Sequence, residues 1–561
     1  MPEAQSNIKP ATSSVADQRI KEYEQGVSKR RNFESYWQTL HDYWYIEAQN
    51  LNKTYSVGNE LSVDFLWDST TLETGDVFAS GFMNYLTPPT ARWSRLKPKN
   101  KAFSTNKAVG NFLEDVMAVV SNTLNGSNFY DQMFPAYKSS GIFGTSFLFE
   151  EEDEKEDVRF YNMPLKQTII VEDARSRVNK YYIEFEYTGN QAASRWGVEA
   201  LSPEMQREIT EGKGDGEKHK FILYIAERTV REIQKTDKKN MPIEGTWIDV
   251  KGRLIVEESG YHEMPAFTHR FDKRPFLEWG FSPAMKALPF ARMLNTIAKT
   301  NLSTMMKHNA PAVAIPNNAF IAPFNQNPDA INYYSKNKMD SAKDIFTFGN
   351  YGDPQTGMTA IEYYSGQVKS LMFTDVFLAF SNITKDMNNP EIMERINEKM
   401  TMLGPAVGRY LQDVISPVIH RTIGILARRG KLPDPPIEFM MDPGYEAEFI
   451  GVLAQAQRRT ELNSLVTGLT MVGNLAQFEP SVKDKIDPDK VVDEVWGITG
   501  APVKVLRDDN EMQQIREARA EEMLRQQELA EVGAGAAVAK DAGKAEADFA
   551  KAKQTNTGVV K

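Results

Sequence analysis

The apolar residues change period twice along this chain, and that switch bounds what it can fold into. From about Val15 to Asn50, residues Tyr23, Val27, Phe33, Trp37, Leu40 and Trp44 recur at helical spacings among charged neighbours. A second helix is predicted from Ser69 to Tyr85. It opens at Asp68-Ser69-Thr70, with Glu73 in its first turn, and closes at Leu86-Thr87-Pro88-Pro89, because proline neither donates to nor continues a helix. Residues 107–145 predict two more helices, divided at Asn125-Gly126 and ending near Gly141 and Gly144. At Thr145 the period drops to two. Short β-branched and aromatic runs at 145–149, 158–161, 167–172, 180–187, 221–227, 247–250 and 253–257 predict a meander of strands, with a helical or loop insertion around 191–218. Helices followed by a block of strands predict one α+β region over residues 1–283, its helices packed on a mostly antiparallel sheet.

The helical period returns at Pro283. Ala284, Leu288, Met293, Leu294, Ile297, Leu302 and Met305 form an apolar stripe, with Lys286, Arg292, Lys299 and Asn301 off it. Residues 310–359 break the pattern with Pro311, Pro316, Pro323, Pro328 and Pro354, which predicts a small module rather than a bare loop. A helix resumes over 360–380, with Ile361, Val368, Leu371, Met372, Val376 and Leu378 apolar. Helix, module and helix make a stalk with a tip. Ser381–Asn389 is a polar break. A long helix from Pro390 to Arg429 follows, with a bend expected at Gly404-Pro405, then helices over 445–475 and 481–498. A charged helix over 505–531 ends the ordered chain, and an Ala/Gly/Lys/Asp tail over 532–561 is expected to be disordered.

Composition removes whole classes of function. The 561 residues include no cysteine, so disulfides, thiolate metal sites and cysteine nucleophiles are excluded, as fits a reducing cytosol. A net charge of −10 argues against a protein that wraps or condenses nucleic acid, though not against one that lets DNA slide past. The N-terminus lacks the basic start and apolar core of a signal peptide, and no membrane-length apolar run exists, so an intracellular, soluble chain is expected. There is no phosphate-binding G-x-x-x-x-G-K-[ST] loop, no G-x-S-x-G elbow and no H-E-x-x-H pair. Gly212-Lys213-Gly214-Asp215-Gly216 has the wrong spacing and predicts a flexible turn. His262 and His269 could approach across a turn, but no histidine pair has ligand spacing on one helix face. The acidic run Glu150–Asp157 is either a cation site or a solvated hairpin tip, and without a glycine to aim carboxylates inward the tip is the expectation. Trp93 is expected in the core, with Arg95, Lys97 and Lys99 solvated beside it. Met305 and Met306 predict adaptable packing.

Four stretches together resemble the head-to-tail connecting (portal) proteins of short-tailed bacteriophages. They are Asp68-Ser69-Thr70 through Gly81 to Pro88-Pro89 and Trp93; Ser127-Asn128-Phe129 with Gly141-Ile142-Phe143-Gly144-Thr145; Trp279-Gly280-Phe281-Ser282-Pro283 with Leu294-Asn295; and Leu403-Gly404-Pro405 through Arg409 to Pro417 and Arg421. The resemblance implies a dodecameric ring around a channel at one capsid vertex, with no enzymatic activity and no cofactor or metal. It divides the chain into an α+β wing (1–283), stem helices (284–309 and 360–380) flanking a small α/β clip (310–359), and a tunnel loop (381–389). A long wing helix (390–435) and a helical crown (436–504) follow. The implied partners are double-stranded DNA, bound without sequence preference, and a packaging terminase and tail adaptor at the clip. Major capsid and scaffolding proteins would meet the wing and internal core proteins the crown, with no membrane. The protein would assemble in the bacterial cytoplasm and reside in the virion. Within the tunnel loop, Lys385 is the one cation, and it either faces DNA or pairs with Asp386. Asn382, Thr384 and Asn388 would offer exchangeable hydrogen bonds to phosphate beside it. Two other classes remain open on composition alone: a non-channel scaffold or tail protein, and a metal-dependent phosphoesterase built on Glu150–Asp157.

Overall fold

Thirty-five residues of helical periodicity have to bury one stripe against something, and in the structure that surface is a sheet along the N-terminal half and other helices along the C-terminal half. The computed structural model describes residues 10–45, 66–100, 106–232, 237–275, 277–309, 353–382, 402–450, 452–476, 485–499 and 509–555, with short pieces between them. Helix α1 (Pro10–Trp44) is followed by α2 (Thr70–Leu86), β1 (Ser94–Pro98), α3 (Lys107–Gly126) and α4 (Phe129–Phe143). Then come β2 (Thr145–Asp153), β3 (Asp157–Asn162), β4 (Thr168–Glu172), β5 (Val178–Thr188), α5 (Gly189–Trp196) and α6 (Pro203–Thr210). Strands β6 (Lys218–Glu227), β7 (Ile243–Asp249), β8 (Leu254–Tyr261) and β9 (Ala266–Arg270) complete the sheets. The helices fall where the periodicity predicts them. Asp68 rather than Ser69 caps α2, its carboxylate accepting from the Thr70 N–H at 2.8 Å.

The strands form two antiparallel sheets rather than one meander. Five pair in sequence order, β4-β5-β6-β7-β8, and three pair as β3-β2-β9. The second sheet exists because β9, a strand that the sequence pattern did not reveal, returns to pair with β2, Phe149 opposite Ala266 and Thr145 opposite Arg270. Helix α1 covers the larger sheet. Its Tyr23 packs among Ile169, Tyr182, Ile222, Tyr224 and Ala226, and its Ala16 and Ile20 meet Ile248. The insertion over 191–218 is helical, and Thr188 opens α5 with a reciprocal capping box to Gln191.

Helix α7 (Pro283–Asn309) leaves this body, and after short strands β10 (Val313–Ala314) and β11 (Phe346–Thr347) helix α8 (Pro354–Leu371) packs back along it. Pro289 inside α7 removes an N–H that would have bonded the Met285 carbonyl, and the Tyr36 hydroxyl donates to that carbonyl at 3.4 Å. The returning helix is two helices, not one. Phe373 adopts φ +57° between α8 and α9 (Thr374–Asn382), turning Phe377 into an aromatic cluster with Phe78 and Phe82. The bend expected at Gly404-Pro405 is likewise displaced. Helix α10 (402–410) continues into a widened π turn at Leu411–Ile415 and then α11 (Ser416–Arg428). Pro417 accounts for the shift, because its ring cannot fit against the carbonyl four residues back in a regular α turn.

Elements α12 (Ile437–Met441), β12 (Tyr445–Phe449), α13 (Val452–Leu475), α14 (Pro488–Thr499) and α15 (Asp509–Thr555) close the chain. The chain divides into two compact units: 1–96, 115–433 and 447–454 form the first, and 97–114, 434–446 and 455–561 the second. In the second unit Phe112 packs on Phe439 and Arg516 forks onto Asp489. Helix α15 corrects the expected tail, since helix continues to Thr555 where disorder was expected from 532. Alanine and lysine, both strong helix formers, make up 13 of residues 532–555, which outweighs the three glycines there.

Gly144 terminates α4 in the left-handed region at φ +77°, and a Cβ there would run into the Gly280 carbonyl. Gly197 has φ +83° but open space around it. Gly144→Ala is therefore expected to lower stability by about 2–5 kcal/mol, and Gly197→Ala, at ψ 153°, by the backbone share alone of about 1–3 kcal/mol, compared by urea denaturation.

Candidate functional site

The four motif segments, far apart in sequence, are brought together around β9. Gly144 and Gly280 lie backbone to backbone, with the Gly280 N–H donating to Thr145 Oγ1 at 3.0 Å and the Phe271 N–H to the Gly144 carbonyl at 2.9 Å. The Ser282 hydroxyl donates to the Ile142 carbonyl at 2.6 Å and accepts from the Met285 N–H at 3.0 Å, so one side chain caps α7 and ties it to α4. Trp279 meets Trp37 edge-on at 4.8 Å. Thr87, at the end of α2, shares a hydroxyl hydrogen bond of 2.9 Å with Tyr137. Arg409 donates to the Phe271 carbonyl at 2.7 Å, and Arg421 to the Glu263 carbonyl at 2.8 Å, so the last motif brackets β9 from both sides. Between them the fully buried His269 ring lies 4.4 Å from Tyr410, with no hydrogen bond to either nitrogen among the described residues. Burial, reinforced by Arg409 and Arg270, holds its pKa well below the usual range, so it is neutral.

The acidic run forms a hairpin tip, but it is not simply solvated. Strand alternation turns Glu150 and Glu152 toward α11, while Glu151 faces Arg195 at 3.2 Å. Arg428 grips Glu263 through two nitrogens, at 2.6 and 3.0 Å, and reaches Glu152 at 3.1 Å. Arg429 and Lys431 hold Asp157 at 2.8 and 2.6 Å. Glu150 and Arg421 are both fully buried, with Arg421 Nε 3.9 Å from the carboxylate and Thr422 donating to it at 3.1 Å. Burial pushes the Glu150 pKa up to about 8, against the opposing pull of Arg421 and Thr422. The run is a latch between the β2–β3 hairpin and α11. Sequence reasoning missed it because the signal lies in the spacing of Arg421, Arg428, Arg429 and Lys431, which gains meaning only beside the hairpin. Among the described residues no cluster of His, Asp or Glu is arranged to hold a metal ion.

In the stem pair, Asn301 is buried against Gly357 at the crossing of α7 and α8, not on the exposed face where the apolar stripe placed it. Met306 and Lys307 are exposed, as are Met293, Leu302 and Tyr363. Trp93 is in the core, stacked near Phe129 and donating to the Tyr130 hydroxyl at 3.2 Å, whereas Trp67 is 43% exposed. Of the tunnel-loop residues, Asn382 is the last residue of α9, and Thr384, Lys385 and Asn388 lie outside the described residues, as does most of 310–359.

The family model for the bacteriophage head to tail connecting protein matches residues 16–506. The chain belongs to that family. Among its relatives, the portal protein of Salmonella phage epsilon15 is 26% identical over 533 residues, covering 93% of this chain and 94% of that protein. The probable portal protein of Bordetella phage BPP-1 is 26% identical over 520 residues, covering 92% and 93%. Two solved structures, of a native gene transfer agent virion and of the neck of an empty gene transfer agent particle, are each 11% identical. They cover 71% and 72% of this chain and 86% and 87% of theirs, with TM-scores of 0.31 and 0.33. The connector is thus a virion component, and no helix among its described residues is long and apolar enough to cross a membrane.

The latch gives the connector two testable properties. Arg421→Ala is expected to cost about 3 kcal/mol or more, since it empties a buried site and strips the Glu263 carbonyl of a donor. The partly exposed Arg428→Ala is expected to cost about 1 kcal/mol or less, both read by urea denaturation. Because the folded pKa of Glu150 is raised, folding binds a proton between the ordinary carboxylate pKa and about 8. The stability this contributes is complete below the unfolded pKa and is lost as pH rises through about 8. Glu150→Gln is expected to flatten that decline in denaturation midpoints measured from pH 5 to 9.

Proposed function

We propose that this connector is the portal: a dodecameric ring at one capsid vertex through which double-stranded DNA is packaged and ejected. The family match spanning 16–506 carries the proposal, and both phage relatives are named as portal proteins at near-complete coverage of each chain. The α+β body would be the wing, 284–309 and 360–380 the stem, 310–359 the clip, 381–389 the tunnel loop, 390–435 the wing helix and 436–504 the crown. The exposed Met293, Leu302 and Tyr363 on the stem pair suit burial against adjacent copies. A ring multiplies a net charge of −10, so such apolar contacts must offset self-repulsion between copies. The clip would receive the terminase and then the tail adaptor, the wing the capsid and scaffolding proteins, and the crown the internal core proteins. The role is structural: binding and guiding DNA, not chemistry upon it.

Negative-stain microscopy with mass determination of the purified chain tests the ring. Open-centred particles of about twelve copies are expected, and a strict monomer or dimer across salt and concentration would sink the proposal. In the tunnel loop Lys385 would provide a sparse ring of positive charge beside Asn382, Thr384 and Asn388. Lys385→Ala is expected to leave rings intact while changing genome retention, measured as DNA content of assembled particles.

A further inference from the structure

One face of α7 stands apart from the acidic chain around it. The 27 residues of the helix include Lys286, Arg292, Lys299, Lys307 and His308 and no aspartate or glutamate. Residues 292, 296, 299, 303 and 307 follow one another at three or four positions, which places them on a single face. All five are exposed: Arg292, Thr296, Lys299, Ser303 and Lys307. The opposite face, with Ala291, Leu294 and Asn301, is buried.

Among the described residues no carboxylate forms an ion pair with Arg292, Lys299 or Lys307. Lys299 instead lies over the Trp67 ring, 5.4 Å from its centre, which leaves its charge in place. The Thr296 and Ser303 hydroxyls donate to carbonyls one turn back, at 2.9 and 3.1 Å. They add no donors outward. They do keep the face low between the cations, so that a broad anionic surface can approach all three.

We propose that this face of α7 contacts the phosphate backbone of duplex DNA, a deepening that rests on the channel function above. At 1.5 Å per residue the three cations span about 22 Å along the helix, comparable with a large part of one duplex turn of about 34 Å. Charge favours DNA over an adjacent copy as the occupant. Helix α8 carries a single carboxylate, Glu362, and α9 a single one, Asp375, so a neighbouring stem pair cannot match an acid-free row of cations. Steps of about 10 to 12 Å between successive cations are about three times the axial phosphate spacing of about 3.4 Å per strand, so few contacts form at once and each is readily exchanged. The stem wall is then weakly cationic along one stripe, in place of the uniformly acidic or neutral wall that the net charge suggests.

The test uses the full-length assembled ring and a fluorescein-labelled 30-base-pair duplex, titrated at several salt concentrations. Arg292→Gln/Lys299→Gln/Lys307→Gln is expected to form rings of normal mass that bind the duplex at least tenfold more weakly at low salt. The slope of log affinity against log salt should fall by about 0.9 for each phosphate contact removed. Lys307→Gln alone, near the exposed end of α7, guards against a folding defect and should lower the slope by a smaller step. Arg292→Lys should preserve it. Rings of normal mass with unchanged affinity and slope overturn the stripe while leaving the channel intact. Loss of rings in folded triple-variant chains also overturns it, by showing that these cations hold copies together. A wild-type chain that forms no ring sinks the channel function and this contact with it.

Discussion

Two glycine backbones in contact hold the first unit together. Gly144 ends α4 and Gly280 precedes α7, and neither segment tolerates a Cβ at the point where they touch. Because they touch, β2 starts in register opposite the end of β9, Ser282 reaches the end of α4, and α7 leaves the body in a fixed direction. The aromatic cluster of Phe78, Phe82, Tyr137, Phe377 and Tyr410 fills the space beside this junction. Dispersion among such rings is weak pair by pair and large in sum, so the junction fixes geometry and the cluster supplies much of the cohesion.

Polar burial divides the first unit's interior into two kinds of contact. His269 packs on the Tyr410 ring near Arg409 and Arg270, and its neutrality lets it serve as one more flat surface in the core. Glu150 and Arg421 are buried with incomplete hydrogen bonding, an arrangement whose worth lies in placing the hairpin against α11 more than in stabilising the fold. The outer pairs of the latch, at Glu152, Glu263 and Asp157, remain partly hydrated and contribute modestly. The inner pair sets position and the outer pairs steer approach.

Much of this was legible in the sequence because periodicity reports burial directly. Helices α1 to α4 and α7, the switch to strands at Thr145, and the family motifs all follow from residue spacing. What stayed hidden depends on partners distant in the chain. Strand β9 is five residues with His269 and Arg270 inside it, and its membership of a sheet is decided by β2, more than a hundred residues earlier. Asn301 looked exposed because it is polar, yet it is buried where α8 presents a glycine. The break at Phe373 has no local signal, since a bulky residue at positive φ is tolerated only because Phe377 must enter the aromatic cluster.

The π turn at Leu411–Ile415 has a further consequence, in phase. Arg409 and Arg421 both reach backbone carbonyls flanking β9, so they must point the same way. Twelve residues of regular α-helix would leave them about 120° apart. One extra residue absorbed in the wide turn takes back about 100°, and the two guanidinium groups come nearly into line. The helix thus works like a vernier. Its two halves are set independently against the sheet, and a single residue gained or lost between them would rotate Arg421, Thr422 and Arg428 together away from the hairpin.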